Sequence, residues 1–465
     1  MKYSKYEIDM CNGPLFMKIL TFSIPLMLSG ILQLLYNAAD VIVVGRYAGS
    51  TALAAVGSTG SLTNLIISVF MGLSVGTSVI VAQYYGAEKW DNVSKVVHTA
   101  IATSIVSGVL VSIIGIGMAK ILLTAMDTPA DVLDQATLYI RIYFAGMPAS
   151  MLYNFGSSIL RATGDTKRPL VFLTIAGIVN VILNLIFVIA FGMGVAGVAV
   201  ATVISQIISA VLIVLCLLKL DGPCKLKIKE IKLHKDEFIR IMKIGLPAGI
   251  QGSIFSMSNV LIQSSVNSFG SAVMAGNSAA ANIESFIYVS MNAIYQTALS
   301  FTGQNAGAQK YRRIRRVFGI CALLVTIIGI GLGLLAQVFG ETLLGIYAPG
   351  NTEVIRYGMI RLTIITSTYF TCGMMDVLVG MLRGIGTSLI PMLVSIIGVV
   401  GARITWVYTV FAWHRELQTL YMSYPISWTL TAVIHLIFYF IMQRKLERSN
   451  APPSSGSKIS TSARI

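Results

Sequence analysis

The sequence predicts an all-α polytopic membrane protein of about twelve transmembrane helices, built as two parallel six-helix repeats. Three observations carry that prediction. The composition is too apolar for a water-soluble domain, apolar runs of membrane-crossing length recur along the chain, and polar, Gly and Pro positions of the first half return in the second.

Composition sets the class. Only 11% of the 465 residues are charged and the mean hydropathy is +0.78, whereas soluble domains carry about a quarter charged residues. Stretches such as 171–191, 195–218 and 320–339 each approach the ~20 apolar residues that cross a hydrocarbon core of about 30 Å as a helix. The predicted spans are 16–44, 52–82, 96–119, 135–159, 169–191, 195–218, 241–266, 272–303, 317–339, 354–380, 389–411 and 420–442. Residues 1–15 form a polar N-terminal segment without a small-residue cleavage site, so the first span is expected to be retained. The five cysteines (Cys11, Cys216, Cys224, Cys321, Cys372) show no ligand spacing and argue against a disulfide scaffold or a zinc site.

The net charge of +15 is a topology signal. Of 34 Lys and Arg, 27 fall on the two termini and on alternate connections, and four on the opposite connections. Basic loops stay cytoplasmic, so both termini are expected inside. Nucleic acid is not an expected partner. The three remaining cations, Arg141, Arg361 and Arg403, lie within predicted spans. Arg141 and Arg361 stand near outer span ends and are expected to snorkel to the interface.

The repeat is legible in polar positions. Pro25, Gly30 and Asn37 return as Pro247, Gly252 and Asn259, a constant offset of 222. Gln83, Gly86 and Ala87 return as Gln304, Gly307 and Ala308, and Leu160-Arg161-x-x-Gly164 returns as Leu382-Arg383-x-x-Gly386. Six spans per repeat is an even number, so both halves enter from the same side and are related by an axis along the membrane normal. The expected organisation is a lobe over 16–218, a cytoplasmic linker over 219–240, a lobe over 241–442 and a disordered tail over 443–465, where Pro452-Pro453-Ser-Ser-Gly-Ser lies.

Three acids fall inside predicted spans: Asp40, Glu284 and Asp376. A carboxylate in lipid costs several kcal/mol, so such groups face a protein interior or aqueous cavity and mark ion pathways. Asp40 is either such a group or an interfacial acid balanced by Arg46. Asp376 either binds a cation or pairs with a neighbouring span. Asn37 shares the helix face of Asp40 one turn away, and Asn180 and Asn184 stand at i, i+4 in the fifth span. With Gln206 these amides are candidates to complete a polar pocket in the first half, or for plain interhelical bonding. Pro25 and Pro247 remove a backbone donor inside their spans and are candidate hinges. There is no P-loop, no metalloprotease motif and no Ser/His/Asp arrangement, so neither an enzyme nor a nucleotide-driven pump is expected.

Taken together, Ile24-Pro25, Tyr36-Asn37-x-x-Asp40, Gln83-x-x-Gly86-Ala87, Leu160-Arg161-x-x-Gly164-Asp165-Thr166, Gln304-Asn305-x-Gly307-Ala308 and Leu382-Arg383-Gly384-x-Gly386 resemble the multidrug and toxic compound extrusion (MATE) transporters over residues 14–445. The resemblance implies two lobes around a central cleft and export of amphipathic, often cationic compounds in exchange for H⁺ or Na⁺. It gives Asp40 the place of the family's first-span carboxylate beside Asn180, with Pro25 near the bend. Asn184 stands where the family often has an acid. By the same resemblance Glu284 and Asp376 would bind substrate or cation, and Gln206 is a further candidate for that binding from its residue type alone. No cofactor is implied, and the expected protein is a monomer in the plasma membrane. The alternative is a flippase for polyprenyl-linked saccharides on a related fold. Such a carrier needs Arg or Lys to neutralise pyrophosphate, and Arg403 is the residue that keeps it open.

Overall fold

The computed structural model describes residues 6–126 and 128–449. The predicted disordered tail begins too early: residues 443–449 continue the last helix, because Gln443 is buried and donates to the Tyr311 carbonyl at 2.7 Å. The part beyond 449, including the Pro-Pro-Ser-Ser run, lies outside the described residues.

The first half comprises α1 (Leu15–Tyr47), α2 (Ser50–Gly86), α3 (Trp90–Ala125), α4 (Ala130–Ala145), α5 (Met147–Thr163), α6 (Lys167–Leu185) and α7 (Gly194–Lys219). The second comprises α8 (Lys235–Asn267), α9 (Ser271–Gly307), α10 (Tyr311–Val338), the short α11 (Gly340–Tyr347), α12 (Thr352–Gly384), α13 (Leu389–Ser395), α14 (Ala402–Tyr408), α15 (Val410–Trp413) and α16 (Leu417–Ser449). All twelve predicted spans fall on helix. The fourth is broken at Gly146, where Pro148 in the first turn of α5 withholds a backbone donor. The fifth ends in a π turn, Ile186–Ala190, that continues α6. The eleventh passes through a second π turn, Ile396–Gly401, and is split into α13, α14 and α15.

Nine stretches among the described residues are long and apolar enough to cross a membrane on their own. The broken α4–α5 pair and the helices α8 and α9 miss that mark. Polar side chains such as Gln251, Ser253, Ser256, Asn259 and Gln263 line α8, which is what a span facing protein and cavity rather than lipid requires.

The duplication is written in the backbone. Left-handed turns stand at Gly49 and Gly270, at Glu88 and Gln309, and at Gly164 and Gly386, each pair 221 or 222 residues apart. Glu88 and Gln309 have nearly the same φ, 56° and 57°, in residues that seldom adopt it.

The halves meet through α2 against α8 and α1 against α9. Gly72 and Gly76 face Gly245 and Gly249 so closely that a Cβ on Gly72 would stand 2.2 Å from the Gly249 nitrogen. At the end carrying the basic connections the contact is reciprocal. A Cβ on Gly86 would meet the Gln304 carbonyl at 1.9 Å, and one on Gly307 would meet the Gln83 carbonyl at 1.9 Å. The Gln83 amide donates to the Gly384 carbonyl at 2.8 Å, and the Gln304 amide donates to the Ala162 carbonyl at 2.7 Å. The two glutamines are repeat mates, and so are the two carbonyls they reach.

The N-terminal segment lies over this junction. Met10, Leu15, Ile19 and Phe22 are buried in the core of the second half, and Phe22 packs edge-on against Phe301. Asn305, Lys310 and Arg313 donate to main-chain carbonyls of Met10, Cys11 and Asn12. On the other side Tyr85 donates to Glu7, and Ile8 passes so near Gly164 that a Cβ there would lie 2.5 Å from the Ile8 carbonyl oxygen. Only glycine fits at that left-handed, crowded position.

Candidate functional site

Two polar centres lie inside the helix bundle, one in each half. In the first, α1 supplies Asp40, α6 supplies Asn180 and Asn184, and α7 supplies Thr202. The Asn184 amide nitrogen donates to one oxygen of Asp40 and, at 3.3 Å, to the Asn180 carbonyl oxygen. The Thr202 hydroxyl donates to the other Asp40 oxygen at 3.4 Å and accepts from the Asn180 amide at 3.4 Å. Among the described residues no cation lies within ion-pair distance of Asp40. Arg46, its expected balance, instead stacks over the Tyr47 ring.

Asn184 is 0% exposed, and its side-chain oxygen has no hydrogen-bond partner among the described residues. A buried acceptor left bare costs about 1–3 kcal/mol. A proton on Asp40 would turn that carboxylate into a donor, and a Na⁺ ion would want this oxygen as a ligand; either would satisfy the atom.

Two residues assigned to sites from sequence do not join them. Asn37 is exposed and makes no hydrogen bond with Asp40, whose two oxygens are taken by Asn184 and Thr202. Gln206 belongs to the first half, where its oxygen packs against Gly146, and it takes no part in the pocket of Glu284 and Asp376. Pro25 and Pro247 sit inside continuous helices, and the Ser29 hydroxyl donates to the Pro25 carbonyl at 2.8 Å. Thr202 escapes sequence reasoning, since an isolated Thr in an apolar run gives no signal.

The second centre is a cavity of about 500 Å³ whose walls include Glu284, Arg361, Asp376 and Arg403. Here the expectation for Arg361 fails. It does not reach the outer interface but is 7% exposed and clasps Glu284 through two hydrogen bonds, Nε to Oε1 at 2.9 Å and Nη2 to Oε2 at 2.7 Å. Its third nitrogen donates to Asn277 at 2.9 Å, and its guanidinium lies over the rings of Tyr421 and Tyr424. The physical reason is that a buried carboxylate on a neighbouring helix offers bidentate charge pairing, which interfacial water would only screen. Glu284, 4% exposed, is therefore a neutralised acid and not a free cation ligand.

Asp376 lines the same cavity beside the Tyr288 hydroxyl. It forms no ion pair with any described residue. The nearby Arg383 spends its guanidinium on Tyr295 and Gln251, at 2.7 and 2.8 Å. By sequence Arg383 counts with the basic connections, yet it is buried in the last turn of α12, and Arg161 takes the matching place in α5. Arg403, 4% exposed, completes the wall from α14. A wider groove of about 1020 Å³, bordered by Glu341, Arg356 and Gln418, contains none of the predicted site residues.

Comparison with known proteins agrees with this fold. The chain is 28% identical over 434 residues to the probable multidrug resistance protein YoeA of Bacillus subtilis (strain 168), covering 91% of this chain and 93% of that one. Its fold matches a MOP superfamily transporter from Pyrococcus furiosus Vc1 (DSM3638), reported with a binding pocket of reverse polarity, at a TM-score of 0.90 and 22% identity over 96% of this chain and 100% of that one. It also matches the outward-facing conformation of a multidrug resistance MATE family transporter, at a TM-score of 0.89 and 22% identity over 96% of this chain and 100% of that one. The MatE family model matches twice, over residues 25–186 and 247–409, and its starting points fall on Pro25 and Pro247, one of the pairs that reveal the duplication. With more than half of its length so matched, and its helices paired across the two halves as described, the chain belongs to the MATE family of multi-pass membrane transporters.

Proposed function

We propose that this protein is a secondary active multidrug exporter that exchanges its substrate for H⁺ or Na⁺ by alternating access. The observation that carries the reading is the first-half centre: a carboxylate without a counter-charge, held by Asn184 and Thr202, next to a buried amide oxygen with nothing to bind. An incoming H⁺ or Na⁺ would neutralise Asp40 and satisfy Asn184 together. The name of YoeA, a probable multidrug resistance protein, supports the substrate class.

Coupling follows if the ion and the substrate stabilise different orientations of the halves, because each then shifts the population away from the state the other prefers. Substrate would enter the cleft between the lobes and reach the second-half cavity. The chain would work as a monomer in the plasma membrane with both termini cytoplasmic, as the basic connections suggest. The lobes would span 16–218 and 241–442, with 219–240 as linker.

The test is dye efflux from vesicles containing the purified protein, under a pH gradient and separately under a Na⁺ gradient. One gradient should drive efflux, and Asp40→Asn should abolish it while the variant still inserts and folds. Undiminished gradient-driven efflux by that variant would remove Asp40 from the mechanism.

A further inference from the structure

The second-half cavity holds a buried arginine that no described carboxylate touches. Glu284 and Arg361 cancel in their bidentate pair, which leaves Asp376 and Arg403 facing the same space. Asp376 has the Tyr288 hydroxyl beside it. Arg403 has only neutral acceptors: its Nε donates to Ser427 at 3.2 Å and its Nη1 to Asn259 at 3.2 Å, while Nη2 reaches no acceptor among the described residues. No described carboxylate lies within 4.0 Å of it.

Aromatic rings hold this guanidinium in place. It lies 4.2 Å from the centroid of Tyr424 and 5.7 Å from that of Trp428, and Arg361 shares the Tyr424 ring at 5.4 Å. Ring contacts and neutral oxygens fix an arginine's position without supplying the counter-charge that a buried cation needs. Its neighbours aim it rather than neutralise it. Asp376 faces the same cavity but forms no ion pair with Arg403, so direct pairing is left to an acidic group that visits from the cleft.

We infer that Arg403 is the anchor for an anionic group of the transported molecule, so that the substrates of this protein are amphipathic aromatic compounds bearing a carboxylate or phosphate. The Tyr288, Tyr369, Tyr424 and Trp428 rings line the same cavity and offer faces for an aromatic body. A cavity of about 500 Å³ is within the usual range for a drug-sized ligand. This deepens the export reading and rests on it for the word transported, but the recognition itself is testable without any gradient.

The experiment is equilibrium binding to the full-length protein in lipid nanodiscs, with flavin mononucleotide against riboflavin and carboxyfluorescein against ethidium. The first pair differs by one phosphate, and the second sets an anionic dye against a cationic one. The anions should bind at least about tenfold tighter than riboflavin, the worth of one charge-assisted contact. Arg403→Gln should erase that advantage, and Arg403→Lys should keep part of it. A low-salt to high-salt titration of the wild-type protein provides the readout if either variant fails to fold, since the anion advantage should shrink with salt. Equal binding of flavin mononucleotide, carboxyfluorescein and riboflavin by the wild type, or tighter binding of ethidium than of both anions, would overturn the inference. Anion binding that survives Arg403→Gln unchanged would overturn it as well. A gain by one anion class alone supports it and names the group as phosphate or carboxylate. Loss of gradient-driven efflux with anion binding intact would instead refute the exporter reading and leave the anchor standing.

Discussion

The Glu284–Arg361 pair gives the sharpest energetic prediction, because its geometry decides which of two regimes applies. An exposed ion pair is worth about 0–1 kcal/mol. A buried pair with one partner removed costs about 3–5 kcal/mol, since the survivor is stranded, and replacing both partners with apolar residues is neutral or stabilising. At 4% and 7% exposure, with two bonds of 2.9 and 2.7 Å, this pair belongs to the second regime. Arg361→Met should therefore cost about 3–5 kcal/mol, and Glu284→Leu the lower part of that range, because Asn277 and the two tyrosine rings still hold the arginine. The double variant should return to within about 1 kcal/mol of wild type. The coupling read from the four proteins should then be at least about 4 kcal/mol. Equilibrium unfolding in mixed detergent micelles measures it. A coupling below about 1 kcal/mol would show a solvent-screened pair, and Glu284 would return as a cation ligand.

Further tests address the junction and the first centre. Gly86→Val and Gly307→Val each force a side chain into a carbonyl 1.9 Å away, so both should fail to close the basic end, seen as increased labelling of a cysteine introduced at Gln83 or Gln304. Thr202→Val removes one of two donors to Asp40 and should weaken dependence on the driving ion by a few-fold while sparing expression. Cys11 sits outside the spans, where burial, helped by Asp9, pushes its thiol up to about 11 from an ordinary 9.0. At pH 8 it should react with maleimide about a hundredfold more slowly than a free cysteine, and the rate should climb about tenfold per pH unit until near pH 11. A Cys11 that labels at the free rate at pH 8 would mean that the N-terminal segment is not docked.

The sequence carries the architecture because its cues are local and repeated. Apolar length names a span without knowledge of its neighbours, and a Gly or Pro needed for close packing or a turn must recur wherever the structure recurs. Gly86 and Gly307 show this: each is small because the other half's glutamine backbone passes there. Asp40, Asn180 and Asn184 are also legible, since an acid and an i, i+4 amide pair stand out against apolar helices. Partnerships between distant helices are not. Nothing near Arg361 in the chain announces Glu284, 77 residues away, so its position near a span end suggests water where the fold supplies a carboxylate. Asn37 fails for the converse reason: sharing a helix face with Asp40 does not decide which of the two meets α6 and α7. Gln206 stays in the first half, as its pocket reading expects, but as a substrate ligand it does not reach Glu284 and Asp376, because residue type alone does not say which cavity a helix borders.

By repeat arithmetic residues 6–22 belong to the first half, yet Met10, Leu15, Ile19 and Phe22 are buried against the second, and the Met10 carbonyl accepts from Asn305 and Arg313. The N-terminal segment therefore bridges the two halves: Ile8 is pressed on Gly164 of the first and also packs on the core of the second, and Met10 is gripped by Asn305 and Arg313. If that face opens, the second half carries the start of the first away with it. α1, anchored at one end to the second half and through Asp40 to the first, is then the helix left spanning the gap and obliged to flex.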